Sequence, residues 1–136
     1  MSLVHLVLDT ETLSEECGAV VLSVACVPFK LEVHTYFSEI LSAGISIKFN
    51  VEEQIKVYRR HISNSVVKWW KDQPKVVFDA AVKPSPNDVS IRDGLIQLNK
   101  FISEIPGYHY QESYVWTRGN NFDFPILKSL YADAGI

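Results

Sequence analysis

Cysteine is scarce in this sequence of 136 residues, which contains only Cys17 and Cys26. The two cysteines have neither the spacing of a metal site nor that of a redox motif, so neither kind of centre is indicated. Cys26 lies in an apolar run and is predicted to be a buried thiol. A free thiol of this kind favours a reducing compartment, and we therefore expect a cytoplasmic protein.

Long apolar runs are missing as well. No run approaches the roughly 18–20 apolar residues that a membrane-spanning helix needs, which excludes that class of protein. No charged leader with a cleavage site is visible, so we expect no signal peptide. None of the four histidines has an obvious metal-ligand or general-base arrangement, and His61 is predicted to be solvated.

Basic residues are few in the first third of the chain. Residues 1–47 carry one basic residue against six acids, whereas residues 48–75 carry seven against three. Such an asymmetry can place a metal site beside a phosphate-binding surface, and Arg59, Arg60 and Lys68 are candidates to contact a nucleic-acid backbone. The alternative is that these side chains form a solvated helix face.

The chain length predicts one domain of mixed α/β class. Strands are predicted over 3–8, 19–29, 33–40 and 113–117, with 45–49 as a further strand or sheet edge. Helices are predicted over 50–58, from Ser63 or Ser65 to before Pro74, from Asp88 or Ser90 to Ile105, and over 122–134, with a loop over 74–87. This order predicts a mixed sheet of three antiparallel meander strands and a parallel fourth strand, flanked by helices.

Two carboxylates stand at the end of the first strand. Asp9 and Glu11 are two residues apart, so strand alternation turns them to the same face, roughly 5–7 Å from each other. Like charges at that distance need a compensating partner, usually a hard divalent cation. The alternative is a strand end with two solvated acids.

A third carboxylate, Asp123, lies where the fourth strand leads into the last helix. Parallel pairing of that strand with the first would bring Asp123 to Asp9 and Glu11, and three such acids suit Mg²⁺ or Mn²⁺. The alternative for Asp123 is a helix N-terminal acid stabilised by the helix dipole.

The segments Asp9–Thr12, D-T-E-T, and Arg118–Leu127, R-G-N-N-F-D-F-P-I-L, resemble motifs I and II of the DEDD 3′–5′ exonucleases, a superfamily with an RNase H-like fold. The tryptophan pair Trp69-Trp70 makes the chain similar to the bacteriophage exonuclease A and RNase AS-type exoribonucleases within that superfamily. The resemblance covers the whole chain in order. It implies a cytoplasmic enzyme of a bacterium or a phage-infected cell.

The resemblance implies a metal-dependent 3′–5′ exonuclease that releases nucleoside 5′-monophosphates from single-stranded DNA or RNA. It assigns Asp9 to both of two Mg²⁺ or Mn²⁺ ions, Glu11 to the ion of the nucleophile and Asp123 to the second ion. The residues implied to contact substrate are Thr10, Thr12, Leu13, Trp69, Trp70, Arg118 and Phe122. Two alternatives stay open: both tryptophans could be structural, and Arg118 could form a helix-end salt bridge.

One part of the resemblance is missing. The third motif of the superfamily, H-x-x-x-x-D or Y-x-x-x-D, supplies a fourth carboxylate and a general base, and nothing after Asp123 fits it. We therefore expect residues 1–136 to be one exonuclease-like domain without the C-terminal strand and helix. Alone it should have little or no activity, and it should form a dimer or larger assembly. The alternative is an inactive exonuclease-fold module that binds nucleic acid or protein.

Overall fold

The structure, a computed structural model, describes residues 3–31, 36–119 and 121–136. The elements are β1 His5–Thr12, β2 Val21–Phe29, α1 Phe37–Ser42, β3 Ile45–Lys48, α2 Val51–Lys56, α3 Asn64–Lys71, α4 Lys75–Ala81, α5 Ile91–Ser103, β4 Val115–Trp116 and α6 Asp123–Ala134. No helix within these ranges has the length and apolar character that crossing a membrane requires.

The strands form one mixed sheet in the order β3-β2-β1-β4. β2 runs antiparallel to both β1 and β3, whereas β4 runs parallel to β1 with Leu6 opposite Val115. The predicted sheet of three antiparallel strands and one parallel strand is thereby confirmed. The pairing of β1 with β4 is what brings the ends of the two motif-bearing segments together.

Two predictions for the middle of the chain are wrong. Residues 37–40 belong to helix α1, because Phe37, Ile40 and Leu41 have helical spacing, and β3 takes the place of the predicted third strand. The rest of that prediction, 33–35, lies outside the described residues. Helix α4 occupies part of the predicted loop, since its prolines lie outside the helix and Pro74 precedes its first residue.

Polar side chains cap the starts of three helices. Asn50 and Ser63 accept the N–H groups of Glu53 and Val66, and Ser90 accepts that of Asp93 at the start of α5. The carboxylate of Glu53 accepts the N–H of Ile91 at 3.0 Å. α2 is thereby fixed to the start of α5, beneath the sheet.

The sheet separates two clusters of buried side chains. The larger lies between the sheet and helices α5 and α6, and includes Leu6, Leu8 and Leu130. The smaller contains Leu13, Val20, Leu22 and Trp70 beneath α3 and α4. Cys26 is buried as predicted, and burial raises the pKa of its thiol to about 11.

Gly94, in the middle of α5, allows close contact between this helix and the sheet. A Cβ at this position would lie 2.4 Å from Cε1 of Phe49. We expect Gly94→Ala to lower the free energy of unfolding by about 1–2 kcal/mol, because overpacking outweighs the gain in helix propensity. Urea denaturation measures the change.

Gln97→Ala, on the exposed face of the same helix, is the matched control and should change the free energy of unfolding by less than about 0.5 kcal/mol. If Gly94→Ala is as stable as the unsubstituted protein, the Phe49 ring can move aside without lowering the free energy of unfolding.

Candidate active site

The second half of β1 presents its acids on one face of the sheet. The strand continues through Thr12, four residues further than predicted, so Asp9 and Glu11 lie on the strand itself. Thr10 and Thr12 alternate with them and are buried, at 6% and 7% exposure. The pairing with β2 shifts register between Glu11 and Thr12, where the strand ends.

Asp123 reaches the same place from α6. It is the first residue of that helix and is 3% exposed, and the Thr10 hydroxyl donates a hydrogen bond to its Oδ1. A cleft of about 360 Å³ is lined by Asp9, Thr10, Glu11, Arg118, Gly119, Phe122 and Asp123. The structure therefore brings the three predicted carboxylates together.

The carboxylates perturb one another. Burial, followed by the charge of Asp123, raises the pKa of Asp9, although the Thr10 backbone and the Arg118 charge oppose the shift. Burial also raises the pKa of Glu11, and the charges of Asp9 and Asp123 add to the effect. The cleft thus brings acidic side chains close to one another, with Arg118 as a partial counter-charge.

Asp9, Glu11 and Asp123 share a cleft, but their side chains are not clustered as metal ligands. Within the ranges that the structure describes, no group of three or more histidine, cysteine, aspartate or glutamate side chains is close enough to hold an ion. One Asp123 oxygen is occupied by the Thr10 hydroxyl.

A groove of about 730 Å³ continues from the cleft toward α3. It shares Thr10, Glu11 and Phe122 with the cleft. Its other lining residues are Thr12, Ser14, Glu15, Ser65, Val66, Trp69 and Trp70. A cleft of carboxylates is thus joined to a groove that contains aromatic rings.

The two tryptophans have different surroundings. Trp70 is 5% exposed and its indole N–H donates to the carbonyl of Thr12 at 2.9 Å, whereas Trp69 is 56% exposed on the groove. Their rings meet edge to face, with centroids 5.0 Å apart. Consecutive helical positions point about 100° apart, which accounts for one buried ring and one accessible ring.

Leu13 lies apart from the other predicted substrate contacts. It is 5% exposed, belongs to the smaller core and lines neither the cleft nor the groove. Arg118 is exposed at the cleft beside Asp9.

The prediction that Arg60 contacts a nucleic-acid backbone is wrong. Its side chain is almost fully buried, with Nη1 2.7 Å from the carboxylate of Asp133 and Nε donating to the carbonyl of Ala19. Lys68 is exposed and pairs with Asp72 at 3.2 Å. Arg60 therefore links its segment to the last helix.

His61 and Ser14 were not identified from the sequence as a pair. The side chain of His61 is 44% exposed, in agreement with the prediction that it is solvated, and its Nδ1 also lies 2.6 Å from Oγ of the buried Ser14 beside the groove. The two residues are 47 positions apart, and no local spacing signals the contact.

Comparison with known proteins identifies the family. Residues 4–136 match the Rv2179c-like family, described as a 3′–5′ exoribonuclease domain. The chain belongs to this family. The resemblance to the 3′–5′ exonuclease superfamily is thereby confirmed, and the family is one of nucleases.

One sequence relative agrees with this assignment, and one solved structure has a similar fold. The exodeoxyribonuclease of Enterobacteria phage T4 is 36% identical over 130 residues, which are 93% of this chain and 55% of that protein. The chain thus spans about half the length of this relative. The crystal structure of cell-death related nuclease 4 (CRN-4) matches 98% of this chain and 40% of its own, with a TM-score of 0.59 and 13% identity. That likeness shows the RNase H-like nuclease fold.

Proposed function

We propose that this chain is a metal-dependent 3′–5′ exonuclease domain that releases nucleoside 5′-monophosphates from single-stranded DNA or RNA. The observation that carries the proposal is the cleft of Asp9, Glu11 and Asp123, which opens into the groove beside Trp69. An exonuclease needs a site for phosphodiester cleavage and a neighbouring surface for the terminal nucleotide, and this arrangement offers both.

The donor set fits a hard divalent cation. Asp9, Glu11 and Asp123 supply only oxygen ligands, and their mutual repulsion is relieved when positive charge enters the cleft. These residues would hold Mg²⁺ or Mn²⁺, which supply an activated water and neutralise charge on the leaving oxygen. Because the acids are not clustered as placed, binding should be weak.

The groove supplies the substrate contacts. The exposed face of Trp69 can stack on a base, an interaction that tolerates any sequence and contributes about 1–3 kcal/mol per base. Phe122 lies where the groove meets the cleft and can border the terminal nucleotide. Arg118 is exposed beside Asp9 and can meet a phosphate.

The relatives point to both kinds of nucleic acid. The family is described as exoribonucleases, whereas the phage relative is an exodeoxyribonuclease. The proposal therefore includes both sugars, and a test needs matched DNA and RNA strands of one sequence.

A time course on a 5′-labelled single strand with Mn²⁺ tests the function. We expect slow shortening from the 3′ end, release of nucleoside 5′-monophosphates and loss of both on adding EDTA. Asp123→Asn should abolish the ladder, because it removes one of the three carboxylates. Asp93→Asn, an exposed acid in the first turn of α5, is the matched control and should leave the ladder unchanged.

The second candidate is a non-catalytic module that binds nucleic acid. It is favoured by the lack of a preformed metal-binding cluster among the described residues. Strand binding with no cleavage in Mn²⁺ or Mg²⁺ would support the module and contradict the enzyme.

A further inference from the structure

The turn that follows β1 lies beneath the groove beside Trp69. We define the Ser14 turn as residues 12–16. Within it the Thr12 hydroxyl donates to the carbonyl of Ser14 at 2.7 Å, and the N–H of Glu16 donates to Ser14 Oγ at 3.1 Å. Ser14 is fully buried, although the groove passes directly over it. The position of the groove floor therefore depends on what holds this turn.

His61 holds the turn from one side. Its Nδ1 lies 2.6 Å from Ser14 Oγ and 3.5 Å from a carboxylate oxygen of Glu16. Because Ser14 Oγ already accepts the N–H of Glu16, its own hydrogen is free to go to Nδ1 of a neutral imidazole. A protonated imidazole reverses the donor and keeps the contact, with Glu16 as a nearby counter-charge.

The backbone of His61 is itself fixed. Its N–H donates to the carbonyl of Gly18 at 2.8 Å, and its carbonyl accepts the N–H of Val20 at 2.9 Å. The preceding Arg60 is the buried residue that binds Asp133 of α6. His61 is thus presented by a segment attached both to the loop after the Ser14 turn and to the helix that begins with Asp123.

Helix α3 holds the turn from the other side. The indole N–H of Trp70 donates to the carbonyl of Thr12, and the N–H of Ser63 donates to the carbonyl of Leu13 at 2.8 Å. The Ser14 turn is therefore connected to the helix that carries Trp69 and, through His61 and Arg60, to the helix that carries Asp123.

We infer that His61 is a positioning residue which, through Ser14, sets the height of the groove floor at which the terminal nucleotide binds. The inference rests on the proposed function, since it assigns a role at the same groove. His61 contacts no reacting atom in this scheme. Its effect is on how tightly a strand is held against Trp69.

The test is the affinity for a single-stranded oligonucleotide, measured by quenching of tryptophan fluorescence without divalent metal. His61→Ala should weaken the affinity by roughly 2- to 13-fold, the range that one net hydrogen bond represents, and Ser14→Ala should weaken it at least as much, because Ser14 Oγ also accepts the N–H of Glu16. The double variant should bind as Ser14→Ala does, because Ser14→Ala already removes the contact with His61 and, in addition, the acceptor of the Glu16 N–H. His61→Asn should restore most of the affinity, since its amide can replace Nδ1 as a partner of Ser14.

Several outcomes are decisive. If the unsubstituted protein binds no strand, the proposed function is contradicted. If it binds and the His61→Ala variant binds equally well, only the inference about His61 is overturned. Additive losses in the double variant would also overturn it. Ser14→Ala removes a single oxygen, so it keeps the test available if His61→Ala fails to fold. His109→Ala, at an exposed position of the loop after α5, is the control and should bind as the original does.

Discussion

We expect this chain to hydrolyse a single strand in Mn²⁺ at least about 10²-fold more slowly than the exodeoxyribonuclease of phage T4 hydrolyses the same DNA. The cleft offers Asp9, Glu11 and Asp123, and among the described residues that line it there is no histidine, lysine or tyrosine beside them. A positioned general base typically contributes about 10²–10⁴-fold. A metal held by loosely arranged ligands would lower the rate further.

Initial rates on one 5′-labelled DNA strand, at equal enzyme concentration and saturating Mn²⁺, measure this difference. Asp123→Asn gives the background due to contaminating nucleases. Equal rates for the two proteins would show that the cleft as it stands is sufficient, and a proton acceptor would have to be sought elsewhere in the chain.

The site was predictable from the sequence where strand geometry decides it. Alternation places Asp9 and Glu11 on one face whatever the rest of the chain does. Asp123 joins them because β4 pairs parallel to β1, which the element order already indicated. The hydrogen bond from Thr10 to Asp123 joins residues 113 positions apart, and neither residue type predicts it.

Long-range contacts account for what was misjudged. Arg59 and Arg60 look alike in the sequence, but only Arg60 is buried, because Asp133 lies 73 positions further on in α6. The contact between the exposed His61 and the buried Ser14 was missed for the same reason, since the two residues are 47 positions apart. A basic or polar residue has the same sequence signal whether it faces solvent or a tertiary partner.

Helix starts were the local feature that the sequence predicted best, and the strand predicted over 33–40 was the one it predicted worst. Asn50, Ser63 and Ser90 cap helices because a side-chain oxygen satisfies a nearby N–H without help from tertiary structure. Residues 37–40 were predicted as a strand because short apolar runs fit both periods, whereas Phe37, Ile40 and Leu41 have the spacing of the helix that the structure shows.

Replacing Asp9 should have opposite effects on stability with and without metal. We expect Asp9→Asn to abolish the heat of Mn²⁺ binding in a calorimetric titration, because it removes the carboxylate flanked by the other two. The original protein should be stabilised by about 2.7 kcal/mol at an Mn²⁺ concentration a hundredfold above its Kd, and the variant should not be.

Without metal the same substitution should stabilise the protein at neutral pH. The folded-state pKa of Asp9 is raised above its ordinary value of 3.8, so folding favours the protonated carboxyl. That contribution is fully present below the ordinary pKa and is lost as pH rises through the raised folded value. The free energy of unfolding of the metal-free protein should therefore fall across this interval, and Asp9→Asn should make the fall shallower.

The pKa of Glu11 is raised as well. Glu11 should therefore account for part of the pH dependence of the free energy of unfolding that remains in Asp9→Asn. Asp93→Asn is the matched control, and it should keep both the Mn²⁺ heat and the original pH dependence. An unchanged Mn²⁺ titration in Asp9→Asn would place the ion elsewhere in the chain. A variant less stable than the original in EDTA at neutral pH would show that Asp9 stabilises the fold through contacts that outweigh its repulsion by Asp123 and Glu11.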